Sequence, residues 1–286
     1  MKIVLIKLFF FLNFLFSQYE LKNLTKVRYP DDLKRNKYYF SKIEINNFND
    51  IYLIDSFSSK IISFNKKNNK LFFSKGLSYS TQINASFTDI TSNLGLEVFV
   101  TDYDNHKIHY FDKKLNFINS INLYDLEIPI EFPTYIRRNS YGYLWVVSEN
   151  LFSLNQININ GEFINKIEGT RFNSFSGIKG FDLNKKNQIG LIDNNNIFFH
   201  FSENGKLIWK KKIDFNLITV NAFENGWVLF TDKNNFFYID MDHFALIKKN
   251  ENPQLEILDF KIKNNEIYFL TKNNLILNAK IDINFN

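Results

Sequence analysis

A chain of 286 residues with 33 Phe and 14 Tyr, but only 10 Gly and 4 Pro, carries enough large apolar side chains for a core, which excludes a disordered chain or a fibrous repeat. It has no Cys, so disulfides, thiolate catalysis, Cys-ligated zinc and a lipid-modified N-terminal Cys are excluded, while the compartment stays open. The formal net charge of +5 becomes 5 − 2 = +3 if the first seventeen residues, with Lys2 and Lys7 and no acid, are removed, and so small an excess makes no case for nucleic acid.

Residues 1–17, MKIVLIKLFFFLNFLFS, place Lys2 before an apolar run and a small residue, Ser17, at its end, the pattern of a secretory signal peptide. The run is broken by Lys7 and Asn13 and is short for a bilayer span. An exported protein is therefore expected, periplasmic or extracellular and from a bacterium, with no stable membrane span after cleavage; an uncleaved anchor is the alternative. Residues 19–27 alternate loosely and read as one isolated strand. Residues 28–37, with Pro30, Asp31 and Asp32, read as a connection.

Repeats follow. Residues 96–123, LEVFVTDYDNHKIHYFDKKLNFINSINL, hold three short runs of Val, Ile, Phe and Tyr separated by Asp, Asn and Lys, the composition of half-buried strands joined by tight turns. The polar residue closing the second strand of each unit is read as Asp55, Asp102, Ser148, Asp193, Asp232 and Lys272, at spacings of 47, 46, 45, 39 and 40. A preceding strand is expected at 41–46, 87–91, 134–138, 177–183, 218–223 and 257–262, and third and fourth strands follow in each unit except the last, which ends after its third.

Several short strands per period of about 40 to 47 residues predict an all-β fold, a six-bladed β-propeller with four-stranded antiparallel blades, formed by residues 18–286 as one domain. An open last blade would leave an unpaired edge. The strand at 19–27 is expected to fill it, so that the N-terminal strand closes the last blade.

The repeats resemble six-bladed propellers of the NHL type. VFVTDYDNHKIHYFD at 98–112 parallels that family's apolar strand, Asp, short Asn/His turn, basic residue, Ile and aromatic, and Asp55, Ser59, Lys60 and Ile61 repeat it. Ser148 with Glu149 and Thr271 with Lys272 depart from it, and Asn-Asn or Lys-Asn stand where the family has Gly-rich turns. The resemblance implies the fold; the residues carrying it are structural. NGKLIWK at 204–210 is similar to the close of quinoprotein-like propeller repeats, but it occurs once and Trp209 reads more simply as a packed strand residue, so no cofactor is expected. The recurring Asp is expected to accept backbone N–H groups of the following turn.

A site is expected where the connections between blades are long, at 78–86 and 124–133, on the face they share with the turns between second and third strands. Five Arg stand against thirty Lys, and three of the five fall in this sector: Arg137 and Arg138, on the innermost strand of blade three, and Arg171 in the next connection. Arg offers a planar, multi-donor cation for carboxylate, phosphate or sugar hydroxyls. Only one of the adjacent Arg137 and Arg138 faces the channel. Tyr135 and Phe172, with the acids Asp125, Glu127 and Glu131, are expected to complete a pocket, the alternative being that the Arg residues pair with those acids and pin the loops.

The inner strands offer Glu44, Asp89, Asp182, Asn221, Glu224 and Asp259 mixed with Lys42, Lys179 and Lys261, a pattern of axial ion pairing rather than a cation cage. His106 and His109 are expected on opposite faces, and neither a nucleophile, His and acid constellation nor a metal site is foreseen. The expected function is a non-catalytic, monomeric binding or scaffolding propeller for an envelope or extracellular protein or a glycan. The alternative is a calcium-dependent lactonase or esterase.

Overall fold

A computed structural model describes residues 18–34, 37–68, 70–77, 84–92, 96–169, 175–249 and 256–284. The expected signal peptide, Arg171 and Phe172 lie outside the described residues. After β1 (Gln18–Lys26), blade one consists of β2 (Phe40–Ile45), β3 (Asp50–Asp55), β4 (Lys60–Asn65) and β5 (Leu71–Phe73), and blade two of β6 (Phe87–Thr91), β7 (Glu97–Asp102), β8 (Lys107–Asp112) and β9 (Phe117–Asn122). Blade three is β10 (Pro133–Arg138), β11 (Leu144–Ser148), β12 (Ser153–Ile157) and β13 (Phe163–Glu168), and blade four β14 (Ile178–Leu183), β15 (Ile189–Asp193), β16 (Ile197–Phe201) and β17 (Leu207–Lys212). Blade five is β18 (Leu217–Phe223), β19 (Gly226–Thr231), β20 (Phe236–Ile239) and β21 (Phe244–Lys249); β22 (Ile257–Lys263), β23 (Glu266–Thr271) and β24 (Ile276–Asn284) begin blade six. The chain is an all-β, six-bladed propeller.

The second strands are buried along nearly their whole length, as in LWVVS of β11 and GWVLFT of β19. They read as unbroken apolar runs because both faces of each blade pack against neighbouring blades. The core is accordingly six interblade layers. Tyr52, Ile54 and Ile61 of blade one meet Val98, Val100 and Phe111 of blade two, and Tyr268, Leu270 and Ile276 of blade six meet Ile51 and Leu53 of blade one.

The scarcity of Gly is met by Asn. Asn49, Asn187, Asn196, Asn234, Asn264, Asn265 and Asn274 hold the left-handed backbone that tight turns need. Other turns are fixed by a carboxamide or carboxylate that accepts two backbone N–H groups, as Asn46 does from Phe48 and Asp50 and Asp112 from Lys114 and Asn116.

Strand β1 closes the ring. It runs antiparallel to β24, from Gln18 opposite Asn284 to Lys26 opposite Leu277, and so completes blade six. It also runs parallel to β21, Tyr19 opposite Ile247 and Leu21 opposite Lys249, which fuses blades five and six into one eight-stranded sheet. The sequence did not suggest this second pairing. Leu21 lies in the layer with Phe230, Phe260 and Ile281.

Pairing register corrects two residues of the repeat alignment. Phe40 pairs with Asp55, Phe87 with Asp102, Pro133 with Ser148 and Ile178 with Asp193, and the equivalent partners in blades five and six are Thr231 and Thr271, not Asp232 and Lys272. The two Thr hydroxyls accept the turn N–H of Asn235 and Leu275, as Asp55 accepts that of Phe57 and Asp193 those of Asn195 and Ile197, whereas Asp102 accepts from the Ser86 N–H and the Asn105 side chain. Deleting residues 18–28 is expected to lower the melting temperature by roughly 10 °C or more, since it unpairs two strands and opens the layer around Leu21. An unchanged calorimetric melt would contradict this closure.

Candidate functional site

Every inner strand shifts register near its start, between Phe40 and Lys42, Phe87 and Asp89, Pro133 and Ile136, Ile178 and Gly180, Leu217 and Thr219, and Ile257 and Asp259. Such bulges re-aim the side chains that follow. Equivalent register then defines two rings of six around the axis. The first holds Lys42, Asp89, Tyr135, Gly180, Thr219 and Asp259; the second holds Glu44, Thr91, Arg137, Asp182, Asn221 and Lys261.

These rings carry a buried ion network. Arg137 donates from Nη1 to Asp89 Oδ2 at 2.5 Å and from Nε to Asp182 Oδ1 at 3.0 Å, and so ties blade three to its neighbours on either side. Lys261 Nζ lies 3.1 Å from Glu44 and 3.6 Å from Asp182. Lys42 Nζ stands over the Tyr135 ring, 5.3 Å from its centre. Three carboxylates also accept a backbone N–H from the next blade: Asp89 from Ile136 at 3.0 Å, Asp182 from Ala222 at 2.9 Å and Asp259 from Ile43 at 3.0 Å.

Burial opposes the charges of Asp182, Glu44, Asp259 and Arg137, and their partners offset it to different degrees. For Asp182 burial pushes the pKa up, but the adjacent Lys261 and Arg137 cations outweigh it and hold the carboxyl below its ordinary value of 3.8. For Glu44 burial prevails over the Lys261 cation and raises the pKa, and burial likewise raises Asp259 against Lys42. Arg137 is held even more firmly protonated than an ordinary guanidinium, because Asp89, Asp182 and Glu44 outweigh its desolvation.

Beyond the second ring the axis widens into a cavity of about 330 Å³ to which all six blades contribute, through Glu44, Thr91, Arg137, Asp182, Glu224 and Lys261 among others. Its rim is the turns between first and second strands, with Asn47, Lys185, Asn264 and Asn265. That is the face opposite the long connections.

Of the eight residues singled out from sequence, the six that are described do not converge. Arg137 belongs to the axial network. Arg138 enters the layer between blades two and three, its guanidinium 5.3 Å from the Phe99 ring centre and paired with Glu97, and it also borders the cavity. Tyr135 stands in the first ring. Asp125 accepts a hydrogen bond from Asn122, Glu131 accepts one from Asn150 at 2.7 Å, and Glu127 is exposed. The Arg137 partners are Asp89 and Asp182, one blade back and one blade on. Among the described residues no group of three or more His, Asp and Glu stands close enough to hold a metal ion.

One constellation escaped the sequence reading, which foresaw none of its kind. His109 on β8 contacts Asp102 Oδ2 through Nε2 at 3.0 Å and Ser120 Oγ through Nδ1 at 2.7 Å. These are the residue types of an acyl-transfer triad. Yet the His109 ring is wholly buried beside Phe87 and Phe117, the Ser120 N–H is taken by the Asn119 side chain, and Asp102 also accepts from Ser86 and Asn105. The chain is thus a strut across blade two. Only the strand register, His109 opposite Ser120, brings it together.

No family model matches the sequence, and no curated protein matches it. Solved structures share its shape. A streptogramin B lyase superposes with a TM-score of 0.63 at 15% identity over 84% of this chain and 78% of that one. The virginiamycin B lyase of Staphylococcus aureus gives 0.61 at 16% over 93% and 90%, and the WD40 domain of Neurospora crassa Pan2 gives 0.61 at 9% over 94% and 97%. At these identities the likeness shows the propeller fold alone.

The depressed pKa of Asp182 fixes the sign of an acid response. Its charged form contributes stability above the unfolded value near 3.8, and that contribution is lost as pH falls through the lower folded value. Urea denaturation is expected to show Asp182→Asn destabilised by roughly 3 kcal/mol at pH 7, because Arg137 and Lys261 lose a buried partner, with a shallower loss below pH ~4 than the parent protein. An identical acid slope in both proteins would contradict the assignment.

Proposed function

We propose that this chain is an exported, non-catalytic binding propeller that presents its connection-rich face to a protein partner in the bacterial envelope or outside the cell. Export rests on the Lys-led apolar segment ending at Ser17. The binding role rests on one observation: six large apolar side chains stand exposed on the connection-rich face, while Phe48, Leu96, Tyr141 and Met241 are exposed at the opposite turns as well. Phe57 is 80% exposed, and Leu151 and Phe152 are exposed like it in turns between second and third strands; Tyr124 is 58% exposed, and Tyr39, which packs on Phe57, and Phe215 are exposed like it in connections that lead into inner strands. Exposed apolar side chains grouped on one face of a folded domain mark a protein-binding surface. Exposed Asp125 and Glu127 border them and favour a partner with basic groups.

The axial carboxylates speak against the calcium-dependent hydrolase, because each is engaged by a cation, a neighbouring backbone N–H or both. Arg137 has no part in the partner surface, because it lies on the axis and borders the cavity at the opposite end.

Cross-linking of the exported protein in its native cells is expected to place partner cross-links on the face of Phe57 and Tyr124. A Phe57→Ser, Tyr124→Ser, Leu151→Ser triple variant should weaken the purified pair at least about tenfold, while its own melt stays nearly unchanged. Cross-links confined to other faces, or unchanged affinity of the triple variant, would refute the reading.

A further inference from the structure

The axial cavity faces away from the proposed partner surface and has no part in it. Its lining restricts what it can take. At the floor, Glu44 and Asp182 alternate with Lys261 and Arg137 at 3.0 to 3.6 Å, so carboxylate acceptors and cationic donors lie side by side with their charges matched. At the rim, among the described residues, Lys185 and Lys263 accompany one acid, Glu224. Lys263 is half-buried; burial lowers its pKa, with Lys261 and Lys185 adding repulsion against the attraction of Glu44 and Asp182.

A compact polyanion is disfavoured by the two floor carboxylates, and an apolar molecule by the polar lining. A zwitterionic amino acid would bring its ammonium to acids already neutralised by Lys261 and Arg137. Sugar hydroxyls suit that floor, because each can donate to a carboxylate and accept from a cation without adding charge. One negative group at the rim would then meet Lys185 and Lys263. The volume of about 330 Å³ is at the small end of ligand pockets.

From this geometry we infer that the axial cavity binds a sugar acid, its hydroxyls on the ring of Glu44, Lys261, Asp182 and Arg137 and its carboxylate on Lys185 and Lys263. The same chemistry occurs in a free uronate and at the end of an acidic polysaccharide.

The test is titration calorimetry with glucuronate, trigalacturonate, glucose and alanine, on the parent protein and on Lys185→Gln and Lys263→Gln. Lys185 is exposed, and a melt of each variant verifies its fold. Saturable binding of glucuronate is expected, at least about tenfold tighter than glucose or alanine, with each substitution weakening glucuronate about tenfold, the loss of one charge-assisted hydrogen bond, and glucose little. Trigalacturonate binding more tightly than glucuronate assigns the ligand to a polysaccharide end, and equal binding to a free sugar acid; either supports the site. Absence of saturable uronate binding, equal binding of glucose or alanine, or folded variants that bind glucuronate as the parent does would overturn it.

Discussion

Arg137 holds carboxylates from both neighbouring blades, Asp89 and Asp182, in a setting where none of the three side chains has much access to water. A propeller has no hydrogen-bonded ladder between most of its blades, so what fixes one blade relative to the next is side-chain packing in the outer layers and whatever lies on the axis. Here the axis is ionic. Lys261 of blade six stands between Glu44 of neighbouring blade one and Asp182 of blade four across the axis, and the backbone N–H groups of Ile43, Ile136 and Ala222 reach carboxylates of the preceding blade. Removing one partner leaves another charge buried and unpaired, which costs far more than an exposed ion pair contributes.

The rest of the molecule accommodates that centre. Six apolar layers separate the blades, Asn takes the left-handed turn positions, and β1 joins the two ends of the chain and bridges blades five and six. The two ends of the axis consequently differ. One carries long connections with exposed Phe57 and Tyr124, while the other carries tight turns around a polar cavity. A partner surface and a small-molecule site can therefore coexist without competing for residues.

Much of this was legible in the sequence because a blade repeats a local pattern: an apolar second strand, a polar stop, and an aromatic third strand. Blade number, strand order and the closing role of the N-terminal strand followed from that pattern. The stop residue was displaced by one position in blades five and six because Thr231 and Thr271 look like strand residues and a polar Asp232 or Lys272 follows each; only pairing register separates them. Rarity of Arg drew attention to Arg137, but its acids were sought nearby in the sequence, at 125–131. The real partners lie 48 and 45 residues away, near one blade period, because inner strands meet at the axis. The strut of Asp102, His109 and Ser120 was missed for a similar reason, since cross-strand register and not spacing creates it.

The central claim is that Arg137 and Asp182 act as one unit rather than as two independently tolerated charges. A double-mutant cycle with Arg137→Met and Asp182→Asn, read by urea denaturation at pH 7, measures that directly. A coupling energy of about 1–3 kcal/mol is expected, with the double variant more stable than the two single losses predict when summed. Additive losses, within about 0.5 kcal/mol, would contradict an axis held together by this pair.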